Sequence, residues 1–319
     1  MQKLLSYVRR CVEDYDMIAP GDRIAVGVSG GKDSLVLLAA LAKLREFYPA
    51  PFTVEAITLD LGLEGMDFTP VEEYCRSLDV PYTVIKTEIS HIIEVGTDIS
   101  HSRAAIALAE QYPCMYAAIG MYPGSCPLPF DAEQMENMIA QFSDMLDHPK
   151  VVALGEIGFD FHYDDVPRDI QAIWFDRQMT LAAEKNIPVV IHDREAHGAV
   201  WDMICAHPNV RGVLHSYSGS AEMARQLVSR GWMISLSGVV TFKNARQTIE
   251  VAEQIPLSSL LLETDAPYLT PVPHRGKTNH SGYLVHTAAR IAEIRGISEE
   301  EVRDVTRENA KAFFAIEKT

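Results

Sequence analysis

Val151-Val152-Ala153-Leu154-Gly155-Glu156 is a short apolar run that ends on a carboxylate, and the chain repeats this form. Pro188-Val189-Val190-Ile191 leads into His192, Gly212-Val213-Leu214 into His215, and Leu260-Leu261-Leu262-Glu263-Thr264 into Asp265. Further short apolar runs stand at Ile92 to Val95, Tyr116 to Gly120 and Met233 to Leu236, and amphipathic stretches separate all of them. Strands that alternate with helices predict parallel βα units, and seven in succession suit a TIM-type barrel better than an open sheet. In such a barrel the reactive groups stand at the C-terminal ends of the strands.

Glu156, His192, His215 and Asp265 all occupy that position. A single strand-end histidine is more often a structural hydrogen-bonder, but two imidazoles and two carboxylates at the same end of separate strands point to a divalent-metal constellation. Met135, Met138, Ile139, Phe142 and Met145 recur at helical spacing and read as the core-facing stripe of a helix, as do Trp174 and Phe175. The polar run Asp160-Phe161-His162-Tyr163-Asp164-Asp165 reads as a structural loop after the Glu156 strand.

The composition bounds the rest. A chain of 319 residues with 47% apolar content can fill a substantial core. No segment approaches the roughly 20 uninterrupted apolar residues of a membrane span, and Met1 to Arg10 has no signal-peptide pattern, so a cytoplasmic protein without a membrane partner is expected. The five cysteines are scattered, with no C-x-x-C pair, and predict reduced thiols rather than disulfides or a cysteine zinc site. A formal charge of -16 opposes a broad electrostatic grip on nucleic acid, although a bound metal can still draw a phosphate ester into a pocket.

The beginning of the chain has a different character. A helix from Met1 to about Met17 is broken by Ala19-Pro20-Gly21-Asp22, and a strand from Arg23 to Val28 then runs into Ser29-Gly30-Gly31-Lys32-Asp33-Ser34. A helix over Leu35 to Phe47 follows. Glycines that admit backbone N–H groups, a helix N-terminus, two hydroxyls and Lys32 together suit a phosphate, although the bare pattern also suits a tight turn.

The string from Asp22 to Ser34 resembles the PP-loop ATP pyrophosphatases, and closely resembles the tRNA 2-thiocytidine synthetases. The likeness continues through Glu55-Ala56-Ile57-Thr58-Leu59-Asp60-Leu61-Gly62 and Val80 to Glu88. It implies ATP phosphates held by Ser29, Gly30, Gly31, Asp33 and Ser34, with Lys32 adding charge and Asp60 near the nucleotide. It covers only about residues 1–91, without the family's cluster-binding cysteines or tRNA-facing parts, so tRNA is not expected as a partner.

From near Val95 onward the chain resembles the TatD-type metal-dependent hydrolases. The likeness rests on Gly155-Glu156-Ile157-Gly158-Phe159-Asp160, Ile191-His192-Asp193-Arg194-Glu195-Ala196, Leu214-His215-Ser216-Tyr217-Ser218-Gly219, Glu263-Thr264-Asp265-Ala266-Pro267-Tyr268-Leu269 and His274-Arg275-Gly276-Lys277-Thr278-Asn279. By that resemblance Glu156 bridges two metals, His192 and His215 complete one site, and Asp265 belongs to the other while handling the proton of the attacking water. Arg194, Arg275 and Lys277 become candidates for phosphate contact, the last two suiting a solvated loop equally well. The family's opening H-x-H strand has no counterpart here, and Tyr122 stands where a further histidine is expected.

The resulting expectation is an α/β chain. A partial PP-loop α/β domain (1–91) precedes a TIM-type barrel lacking its usual first strand (92–319). The barrel holds one divalent metal (Mg, Mn or Zn) rather than two and acts with weakened catalysis on DNA or another phosphodiester. An ATP-binding module and an inactive chimeric chain are the alternatives. Residues 53–60 offer a surrogate for the missing strand, and His91 is expected at the wrong end of the barrel to replace a ligand.

Overall fold

The computed structural model describes residues 2–28, 31–60, 67–86 and 91–316. The chain forms two compact units, Met1–Ser90 and His91–Thr319. The first contains α1 (Gln2–Asp14), β1 (Arg23–Gly27), α2 (Lys32–Leu44), β2 (Thr53–Asp60), α3 (Thr69–Ser77) and β3 (Tyr82–Lys86). Its three strands form a parallel sheet in the order β1-β2-β3. Val26, Val28, Leu38, Leu41, Leu44, Phe52, Val54, Val71 and Cys75 make its core.

Two expectations change here. The helix predicted from Leu35 begins three residues earlier, because Gly31 adopts an extended conformation at its N-cap and Lys32 already has helical backbone. Residues 53–60 do not close the barrel. As β2 they pair with β1 on one side and β3 on the other, so their ladder groups are already used.

The second unit contains β4 (Ile92–Val95), α4 (Ile99–Gln111), β5 (Met115–Ile119), α5 (Ala132–Met145), β6 (Val151–Asp160), α6 (Arg168–Lys185), β7 (Val189–Arg194) and α7 (His197–Ala206). It continues with β8 (Gly212–Leu214), α8 (Ala221–Ser229), β9 (Met233–Leu236), α9 (Arg246–Gln254), β10 (Leu260–Leu262), α10 (Leu284–Arg295) and α11 (Glu299–Phe313). The seven strands are parallel and lie side by side in sequence order from β4 to β10. Each strand thus pairs with the next, the winding of a TIM-type barrel rather than of a doubly wound sheet.

The packing shows that this sheet is curled. Ala118, Val152, Val190, Val213, Met233 and Leu261, from six successive strands, meet in one cluster with Phe314 and Ile316. These side chains line one continuous face, around which the sheet curls. The helices pack on the other face, where Phe142, Phe175, Val200, Leu227, Val251 and Ile291 join the larger core. The curl remains open, with β4 and β10 as its edges among the described residues.

β6 is longer than expected. The sequence suggested a strand ending at Leu154 and a loop from Asp160, whereas Ile157 to Asp160 pair with Ile191 to Arg194 of β7. The register shifts between Leu154 and Ile157, so Glu156 sits at a strand irregularity of the kind that re-aims a side chain. No helix among the described residues is long and apolar enough to cross a membrane. The five cysteines are free.

Caps fix the helices that follow these strands. Asp98 caps α4, accepting hydrogen bonds from His101 N and His101 Nδ1, both at 2.8 Å. Partial burial raises the Asp98 pKa, but these bonds outweigh it and the net shift is downward. The cap's contribution should therefore be complete above the unfolded value near ~3.9 and disappear as pH falls through the lower folded value. Asp98→Ala is expected to cost about 1 kcal/mol in denaturant unfolding at neutral pH, with the gap to the unsubstituted chain narrowing in acid.

Candidate metal centre

The period of two along a strand places the reactive groups. Val190 and Val213 point into the concave cluster, so His192 and His215, two residues further on, point the same way near the C-terminal ends. Leu261 sets the same direction for Glu263. His192 Nδ1 lies 2.6 Å from Glu156 Oε1, and His215 Nε2 lies 3.4 Å from the same oxygen. One donor atom from each residue lies within 4.8 Å of the others.

Three carboxylates surround this trio. Asp265 Oδ1 is 3.5 Å from His215 Nε2, with its backbone in the left-handed region at φ 57° just past β10. Glu263 Oε1 is 2.8 Å from His215 Nδ1 but outside hydrogen-bond alignment. Asp160 Oδ2 is 3.1 Å from His192 Nε2 and accepts a 2.6 Å hydrogen bond from Tyr122 Oη.

The charges are strongly interdependent. Burial opposes protonation of His215, yet Glu263, Glu156 and Asp265 hold its pKa up at about 10. His192 is raised in the same way, with Asp160 and Glu156 overcoming burial. Glu156 is lowered because His215 and His192 outweigh its desolvation. Asp265 is pushed up to about 6, chiefly by burial, against the pull of His215. Such a pocket of carboxylates around two imidazoles needs positive charge. Two nitrogens and a carboxylate oxygen suit a divalent cation such as Zn or Mn, which would take the protons' place on the imidazoles.

Gly158 holds β6 against β7 beside this site. Its φ is 142°, and a Cβ there would enter the backbone carbonyl of His192. Gly158→Ala is expected to destabilise the chain by more than about 3 kcal/mol, beyond the usual range for a point substitution, which a thermal melt would register.

The other sequence-predicted residues take varied positions. Arg194 ends β7, two residues beyond His192, with its guanidinium 4.9 Å from the ring centre of exposed Tyr163. Arg275 stacks over Phe242 at 3.9 Å and donates to Thr270 O, which leaves its guanidinium engaged locally. Lys277 is exposed, and its carbonyl accepts from Thr270 Oγ1. His91 packs beside Tyr116, whose neighbour Met115 starts β5, so it lies at the N-terminal end of the strands as expected.

In the first unit Gly31 caps α2, Lys32 and Asp33 lie in its first turn, and Ser34 Oγ donates to Gly31 O at 3.0 Å. Asp60 ends β2. Ser29 and Gly30 lie outside the described residues.

Asp160 and Glu263 belong to the site although the sequence reading gave them no role there. Glu263 shares the parity of Leu261 and Asp265, a signal open to strand-pattern reading. Asp160 had no such signal, since its contact depends on how far β6 extends.

Comparison with known proteins identifies the families of both parts of the chain. The TatD related DNase family matches residues 76–315, and the PP-loop domain family matches residues 3–105. The uncharacterized metal-dependent hydrolase YabD of Bacillus subtilis is 40% identical over 249 residues, covering 77% of this chain and 95% of YabD. The uncharacterized metal-dependent hydrolase YcfH of Escherichia coli K12 is 36% identical over 257 residues, covering 80% and 94% of the two chains. The crystal structure of YjjV, a TatD homolog from Escherichia coli K12, superposes with a TM-score of 0.65 at 29% identity, covering 81% of this chain and 96% of YjjV. With an N-terminal PP-loop domain ahead of it, this open sheet with its strand-end histidines and carboxylates places the chain in the TatD family of metal-dependent hydrolases.

Proposed function

We propose that the second unit is a hydrolase that works with one divalent cation and cleaves phosphodiesters such as DNA ends. The convergence of Glu156, His192 and His215 on a common point carries this reading, because three protein donors leave further positions for water and substrate. When bound, the cation would supply Lewis acidity, polarising the scissile ester and acidifying a water. Asp265, beside His215, takes the proton from the attacking water. Arg194 faces the phosphate, and Tyr163 offers a ring beside it. The description of the matching family as DNases favours a nucleic-acid substrate over other esters.

The experiment is hydrolysis of bis(p-nitrophenyl) phosphate and of a single-stranded DNA oligonucleotide with Mn, Zn or Mg, with and without chelator. Metal-dependent turnover of both, lost in His192→Ala, supports the reading. Turnover of carboxylic esters alone would remove the phosphodiester assignment.

A second reading concerns the first unit. The PP-loop match and the Gly31-capped helix support ATP binding there. ATP titration should show saturable binding that Asp33→Ala abolishes, and equal affinity in both chains would refute it.

A further inference from the structure

Tyr122 from the segment after β5, Asp160 at the end of β6 and His192 within β7 meet in one hydrogen-bonded chain. We propose that Asp160, itself fixed by Tyr122, is the positioning residue that sets which nitrogen of His192 faces the cation. This rests on the single-cation reading of Glu156, His192 and His215.

The oxygens of Asp160 are fully committed. Oδ2 accepts from Tyr122 Oη at 2.6 Å and faces His192 Nε2 at 3.1 Å. Oδ1 accepts from the backbone N–H groups of His162 and Tyr163, at 3.0 and 3.4 Å. The side chain is only 2% exposed. A carboxylate used in this way orients a neighbour and is not itself a ligand.

Its orientation of His192 is specific. Glu156 and Asp160 both offer only acceptors to His192, so the imidazolium donates to each; a cation on the Glu156 side would displace the Nδ1 proton, 2.6 Å from Oε1, and leave the Nε2 proton on Asp160. This is the carboxylate–imidazole–cation arrangement in which an outer partner fixes tautomer and ring angle.

Tyr122 keeps the arrangement in place. Its ring meets the His192 ring edge-on, with centroids 4.9 Å apart. On the other side it lies over Gly124, where any Cβ would come within 2.6 Å of Cε1. The ring is thus held between Gly124 and His192 while its hydroxyl donates to Asp160. A tyrosine here has no nitrogen for a cation, and its place in the chain is that of a hydrogen-bond donor.

The test uses the full chain and Zn or Co(II) alone. Asp160→Asn keeps the shape and the backbone acceptor but turns an NH₂ toward His192 Nε2, which forces the imidazole proton to Nδ1. Zn affinity should fall about 10–100-fold, the visible spectrum of the Co(II) form should change, and imidazole ¹⁵N shifts should report the exchanged tautomer. Tyr122→Phe keeps the ring and removes one donor, and its Zn affinity should fall roughly 10-fold, the lower end of the outer-partner range. It also decides the matter if Asp160→Asn does not fold. Wild-type affinity and an unchanged tautomer in Asp160→Asn, or unchanged affinity in Tyr122→Phe, would overturn the positioning role. If the unsubstituted chain binds Zn and His215→Ala binds it equally, the single-cation reading fails instead.

Discussion

His215→Ala is expected to remove stoichiometric metal binding and, with it, hydrolysis. The imidazole presents Nε2 toward Glu156 Oε1 at 3.4 Å and toward Asp265 at 3.5 Å, so it stands between these two carboxylates. Removing an outer partner of a ligand costs about 10–100-fold in metal affinity, and removing the ligand itself should exceed about 100-fold. Glu263, Glu156 and Asp265 also favour the protonated form of His215 when no cation is bound. Its loss leaves these partly buried carboxylates without that partner, and the variant should melt below the unsubstituted chain. Isothermal titration with Zn and a thermal melt check the two effects separately.

Asp265→Asn should have the opposite division of effects. The amide keeps the shape and the positive-φ backbone past β10 but cannot accept a proton. If Asp265 takes the proton of the attacking water, kcat should fall about 10²–10⁴-fold, while one metal per chain remains on Glu156, His192 and His215. Steady-state kinetics alongside metal analysis distinguishes this from a ligand. Loss of the metal would place Asp265 in the binding site, and unchanged kcat would remove it from the proton transfer.

Much of the metal centre is legible in the sequence because the strands are short, buried and apolar, so each announces its end with the first polar residue. That signal locates His192 and His215, whereas after β10 the first polar residue is Glu263 and Asp265 follows two residues later. It is weaker where structure depends on partners. β6 extends to Asp160 because its last residues pair with β7, and no local pattern distinguishes that continuation from a loop. The same holds for β2, whose composition suits closing the barrel equally well, yet whose neighbours are β1 and β3. The role of Asp160 depends on contacts between residues 38 and 32 positions apart, with Tyr122 and His192 respectively, and sequence spacing does not reveal them. Tyr122 was legible as a departure from the family pattern, but its hydrogen bond to Asp160 was not.

Among the described residues β4 and β10 are the edges of the curled sheet, and the candidate site draws on β6, β7 and the segments just after β8 and β10. The site therefore stands or falls on whether those strands alone retain a cation. Metal content per chain after Zn or Mn loading and exhaustive dialysis, for the unsubstituted protein and for His192→Ala, measures this directly. The account predicts one ion per chain, lost in the variant. Two ions per chain, or none held specifically, would contradict it.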